Sequence, residues 1–139
     1  MSVDLPTGAI VEYPYLWRWQ RERGETEGRK NRPVCVVIAV HGQDGLTHLA
    51  LLAISSRPPG DHQTALEIPE IERRRAGLRE WMHAWITVSE YNYDIAERSY
   101  YLDLNQLPLG RFSKPFMMRL AAAFAPLLRQ GQTRVDRSE

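Results

Sequence analysis

Cysteine occurs once in the chain, at Cys35, which excludes an intrachain disulfide. Its setting in an apolar run reads as a small core residue rather than a reactive thiol. Excess charge is missing too: 18 basic against 17 acidic residues give a formal net charge of +1. That excludes a broad one-sign surface field and leaves only local arginine clusters to make a basic face. No apolar run approaches the roughly 20 residues of a membrane-spanning helix. The stretch Met1-Ser2-Val3-Asp4-Leu5-Pro6 has no basic flank followed by an apolar segment, so no secretory leader is read there and a cytosolic location is expected. What remains is ordinary for a folded domain. With 139 residues, 43% apolar and 25% charged, the chain fits one core, taken as residues 1–131 with a loose polar tail over 132–139.

The most apolar stretch organises the rest. Val34 to Val40 holds four valines and an isoleucine, the pattern of a strand buried on both faces, and Leu49 to Ile54 forms a second run. Asp44-Gly45 between them predicts a two-residue type I′ turn, which makes the pair a hairpin. That register faces Gln43 with Leu46 and His41 with His48. Two histidines are too few for a metal site, and no third ligand is evident. Polar residues close the far end of the hairpin: Arg32 opens the first run, and Ser55 with Ser56 ends the second.

The flanking segments follow local rules. Ile10 to Trp17 reads as a first strand that Pro14 limits to an edge, a bulge or an early end. Arg18 to Lys30, dense in charge and holding Gly24 and Gly28, reads as a long exposed loop. Thr64 to Ile68 alternates as a strand, and Pro69 to Ala76 forms a short helix ended by Gly77, with Arg73, Arg74 and Arg75 read as a solvated face and phosphate contact by these and Arg79 as the alternative. Ala84 to Tyr91 is a strand, Asn92 to Arg98 a polar link, and Ser99 to Leu104 a further short strand. Ser113 caps a final helix whose stripe includes Phe116, Leu120 and Phe124, and Pro126 is expected to kink or stop it. The fold class is therefore mainly β with helices (α+β), a small, strongly bent antiparallel sheet or barrel capped by helices.

Several of these pieces, in order, resemble the MazF/PemK family of toxin endoribonucleases from bacterial toxin–antitoxin modules. They are Gly8-Ala9-Ile10-Val11, Gly28 to Arg32 leading into Pro33-Val34-Cys35-Val36-Val37, Ala53-Ile54-Ser55-Ser56, Gly77-Leu78 before a strand ending in Glu90, and Leu109-Gly110-Arg111-Phe112-Ser113. The resemblance implies an SH3-like antiparallel barrel with a C-terminal helix, usually a homodimer. It also implies single-stranded RNA as substrate, cleavage without a metal or other cofactor, and inhibition by a cognate antitoxin.

By position, Arg32 matches the family's active-site arginine and Ser55 its Thr/Ser, with Ser56 as a neighbouring polar partner. A guanidinium fork beside a hydroxyl suits the charge that builds on a phosphodiester under attack by its own 2′-hydroxyl. His62 is the candidate general base, since arginine is a poor proton acceptor at neutral pH. Trp19, Arg29, Lys30, Arg57, Gln63 and Glu90 are the candidate RNA contacts. The residues also admit plainer roles: Arg32 paired with Glu25, Glu27 or Glu90, Ser55 and Ser56 as turn formers, and Trp19 as a core-edge aromatic rather than a stacking platform. Departures from the family are the long charged loop, serine where threonine is common, and no arginine on the Trp85–Glu90 strand.

Overall fold

A computed structural model describes residues 5–130 and 133–138; the N-terminal four residues, on which the leader reading rests, lie outside the described residues together with 131, 132 and 139. In chain order the elements are β1 (Ala9–Tyr13), α1 (Arg18–Glu22), β2 (Arg32–His41), β3 (Thr47–Ser55), β4 (Ala65–Glu67), α2 (Glu70–Arg75), β5 (Trp85–Thr87), β6 (Tyr91–Ile95), β7 (Gly110–Arg111), α3 (Lys114–Leu128) and β8 (Arg134–Asp136). The fold is α+β, built on one eight-stranded, largely antiparallel sheet.

Strand β3 is the branch point of that sheet. One edge pairs with β2; the other is shared between β6, which takes His48 to Leu51, and β5, which takes Ile54 and Ser55. Beyond β2 lie β1 and β7, and beyond β5 lies β4, so the pairing leaves the sheet open rather than closed into a barrel. The alternation of side chains gives it two buried faces. Ile10, Cys35, Leu52 and Ile54 pack with Phe116, Leu120 and Phe124 of α3. Val11, Val34, Val36 and Leu51 pack on the opposite side with Tyr15, Trp17 and Leu102. Cys35 is fully enclosed, and burial pushes its thiol well above the ordinary range, in keeping with a core role.

The hairpin register differs from the one the Asp-Gly pair predicts. A type I′ turn needs positive φ at both central residues, but only Gly45 adopts it, at 78°. The loop is wider: Gly42 N–H donates to Leu46 O, and His41 pairs with Thr47 while His48 faces Val40. The expected His41–His48 opposition therefore does not form. A β-bulge between Val36 and Ile38 then shifts the ladder once more, so that Val34 faces Ala53. Two residues further out on each strand stand Arg32 and Ser55.

Three further expectations change. Asn92 to Arg98, read as a polar link, supplies β6 instead, and Ser99 to Leu104 is not a strand. The tail is also not loose where described, because Arg134–Asp136 pairs in parallel with Tyr91–Tyr93 of β6. In α3, the Ser113 hydroxyl accepts Phe116 N–H at 3.3 Å as the cap pattern predicts, and the helix runs two residues past Pro126 before ending. Pro126 sits in the last turn, so the bond it cannot donate to Ala122 O interrupts only the end of the helix. Among the described residues no helix is long and apolar enough to cross a membrane.

Candidate functional site: a cationic cavity at the open end of the central hairpin

The segment from Pro14 to Lys30 forms one wall of the site, and it is built rather than loose. Its charged sequence predicts a loop, but Arg18–Glu22 is a helical turn whose first amide is met from outside: Glu90 Oε2 accepts Arg18 N–H at 2.9 Å. Gln20 Oε1 accepts Trp17 N–H at 2.9 Å, and Arg18 pairs with Glu22. Asn92 on β6 satisfies both backbone groups of Leu16, at 2.9 and 2.7 Å.

Arg137, only 4% exposed, completes the attachment. Its guanidinium donates to Pro14 O, Asn92 Oδ1 and Thr26 O at 2.9, 3.0 and 3.3 Å and lies 3.9 Å from the Tyr101 ring centroid. Gly28 permits the close return of the segment. Its φ is +76°, and a Cβ there would come within 2.5 Å of Pro14 O.

The cavity of about 460 Å³ that this wall helps enclose lies where β2 and β3 end. Lys30, Arg32 and Arg57 line it with Ser55, Ser56, Gln63, Trp17, Trp19 and Trp81, and no carboxylate or imidazole is among its lining residues. The hairpin thus brings together seven of the ten residues singled out in the sequence. Arg32 is half-buried, and its Nε is enclosed with no hydrogen-bond partner among the described residues. Burial, partly offset by nearby Tyr15, lowers its pKa from the ordinary guanidinium value. The guanidinium carbon lies 5.1 Å from the Trp17 ring centroid, a cation–π contact that fixes its position without using its donors. No ion pair of Arg32 with Glu25, Glu27 or Glu90 forms among the described residues; Glu25 is engaged bidentately by Arg29, and Glu90 by Arg18 and Tyr15.

Ser55 keeps both roles open to it. Its Oγ accepts Arg57 N–H at 3.1 Å, which shapes the turn, and the hydroxyl proton stays free to donate. Trp19 is 40% exposed, but the Arg23 and Arg29 guanidiniums lie 5.2 and 5.0 Å from its ring centroid, so a stacking base would compete with them. Arg29 itself does not line the cavity.

No protein family, curated protein or solved structure matches the chain in comparison.

His62 and Glu90 open instead onto an adjoining cavity of about 450 Å³, which shares Trp19 and Gln63 with the first. His62 is exposed there. Glu90 is 5% exposed and works as a structural acceptor for Tyr15 and Arg18 rather than as a surface contact. Burial raises its pKa from the ordinary carboxylate range, against the lowering effect of those bonds. A carboxylate raised on folding stabilises the fold below its unfolded pKa, and that stabilisation is lost as pH climbs through the folded value. Glu90→Gln, which keeps an acceptor oxygen, is therefore expected to match or exceed wild-type stability at neutral pH. Its advantage should shrink as pH falls toward about 4.3, as urea unfolding at several pH values would record. A deficit at neutral pH that vanishes in acid would mean that the ionised bonds outweigh the burial.

Sequence reasoning missed Trp81 and Arg137. Trp81 lies in the turn between α2 and β5, where its flanking Arg79, Glu80 and Met82 give no periodic signal. Arg137 is hidden in a tail whose composition reads as solvent-exposed.

Proposed function

We propose that the chain is a single-stranded RNA endonuclease of the MazF/PemK kind, acting as the toxin of a toxin–antitoxin pair, with the cationic cavity as its active site. The observation that carries this reading is Arg32: a guanidinium held in place by Trp17, with an unpartnered Nε, in a cavity whose other charged side chains are Lys30 and Arg57. Such a site favours an anion with several acceptor oxygens, which a phosphodiester provides.

In the reaction, the ribose 2′-oxygen attacks the adjacent phosphorus, the bond to the 5′-oxygen breaks, and the products are a 2′,3′-cyclic phosphate and a 5′-hydroxyl. Charge on the non-bridging oxygens is met by the Arg32 fork and the Ser55 hydroxyl, with Lys30 and Arg57 holding neighbouring phosphates. The nucleophile's proton leaves to a base and the departing oxygen gains one. His62, across the Trp19–Gln63 wall, is the imidazole this reading assigns as that base. DNA is excluded as a substrate for this step because it lacks the attacking hydroxyl. The reading takes the open sheet as an SH3-like barrel parted between β4 and β7. It includes a cytoplasmic homodimer and an antitoxin that covers the cavity.

A second reading rests on the lining itself. With no carboxylate or imidazole in the first cavity, the same groove would serve a non-catalytic module that binds nucleic acid or a peptide. Induced expression in a bacterial host separates the two. The nuclease reading expects growth arrest by wild type and none by Arg32→Ala, with cellular RNA cut only in the first case. Equal growth in both cultures with intact RNA favours the binding module.

A further inference from the structure

The arginines of α2, read from the sequence as a solvated face with phosphate contact as the alternative, adjoin the candidate active site through Trp81. Trp81 is the common element. It lines the Arg32 cavity, and it also lines two further cavities of about 630 and 250 Å³, both of which include Arg74 and Arg79. Helix α2 is set so that its basic side faces out. Glu72 on its inner side accepts Ser113 N–H and Oγ–H at 2.9 and 2.7 Å, and Ala76 is buried. Gly77, at φ +79°, then turns the chain back, and Leu78 N–H closes on Arg73 O at 2.8 Å. This places Arg79 beside Arg74 one turn further on.

Tryptophans stand at the partitions between these cavities. Trp19 and Gln63 divide the His62 cavity from the Arg32 cavity, and Trp81 divides the Arg32 cavity from those of Arg74 and Arg79. The Trp81 partition between the Arg32 cavity and the arginine-lined hollows beyond it matches a single strand, whose flat bases stack while its phosphates lie against guanidinium groups. The His62 cavity, with Glu22 and Glu90 in its lining, is not part of this basic series. Carboxylates do enter the outer cavities: Glu70 pairs with Arg74 at 2.9 Å, and Glu80 lines the larger one. The Arg74 pair is exposed on both sides and is of the kind that exchanges readily for a phosphate.

We infer that the RNA strand leaves the Arg32 cavity over Trp81 and continues along Arg74 and Arg79, so that this surface is a second phosphate-binding stretch of the same substrate. The inference rests on the RNA reading of the Arg32 cavity and extends it to residues with no part in bond cleavage. A duplex would not fit this use of Trp81, since its bases are already stacked.

The test is binding, by fluorescence anisotropy, of labelled RNA made non-cleavable by 2′-O-methylation, in two lengths: a trinucleotide and an oligomer on the order of ten nucleotides. Arg74→Gln/Arg79→Gln changes two exposed side chains, and circular dichroism checks the fold. The double variant is expected to bind the long RNA about ten-fold more weakly with an unchanged trinucleotide affinity. Its salt slope should fall by about 0.7 for each phosphate that the surface no longer neutralises. Equal long-RNA affinity in both proteins overturns the inference, and so does an equal weakening on both lengths. Failure of the underlying reading is distinct: Arg32→Ala would then leave trinucleotide binding and RNA cleavage as they are in wild type.

Discussion

Arg32→Ala is expected to lower the rate of RNA cleavage by about 10²- to 10³-fold, the usual consequence of removing one aimed donor from a transition state. Arg32→Lys should recover only part of that activity. A lysine keeps the charge but not the planar fork that meets two oxygens together, and it does not stack on Trp17 in the same way. Neither substitution is expected to harm the fold. The enclosed Nε has no partner to forfeit, and burial already disfavours the charged group. Steady-state cleavage of a fluorogenic RNA, beside urea unfolding of each variant, separates the two effects. Cleavage by the alanine variant at the wild-type rate would remove Arg32 from the chemistry. An equal fall in activity and stability would make it a structural residue.

Arg137→Ala should give the largest change in stability, a decrease of about 3 kcal/mol. The side chain is nearly fully buried, and its removal strands the part-buried carbonyl of Pro14, while Thr26 O, on an exposed residue, keeps the Tyr101 hydroxyl. The Asn92 oxygen would keep Leu16 N–H but lose its charged donor. Local order should fall as well: amide hydrogen exchange over residues 14–28 should quicken beyond what the global stability change accounts for. Since this segment carries Trp17 and Trp19 to the cavity, RNA affinity should fall with it. A change below about 0.5 kcal/mol, typical of surface positions, would contradict this account of the attachment.

Much of the frame is legible in the residues because it depends on local rules. The apolar run of β2, the Pro69–Gly77 bracket of α2 and the Ser113 cap of α3 each stand in the structure close to their expected places. The elements that escaped depend on distant partners. Strand β6 reads as a linker because Asn92 and Asp94 are polar, yet both are fully buried. Asn92 serves the backbone of Leu16, and Asp94 accepts from Tyr13 and Ser99. Helix α1 is short, and it forms with the help of Gln20 and Glu90 at its start rather than by helix propensity alone. The parallel pairing of β8 with β6 has no turn signal to announce it, since more than 35 residues separate the strands.

The site divides in the same way. Arg32 and Ser55 fall together in the sequence reading because both end the central hairpin. The expected turn is nevertheless too short, and the bulge near Val37 helps set the final alignment. His62 and Glu90 are close in the expected order but open onto the neighbouring cavity. A position in sequence says which end of a sheet a loop reaches, and only the packing of the 14–30 segment divides that end into two hollows.

The most direct test of the central claim is the chemistry of the cut ends. Purified wild type and Arg32→Ala are incubated with a long single-stranded RNA in EDTA, and the termini are analysed by mass spectrometry. The account predicts fragments from wild type alone, each ending in a 2′,3′-cyclic phosphate with a 5′-hydroxyl on the partner fragment. Uncut RNA in both reactions, or identical cleavage by both proteins, would contradict it.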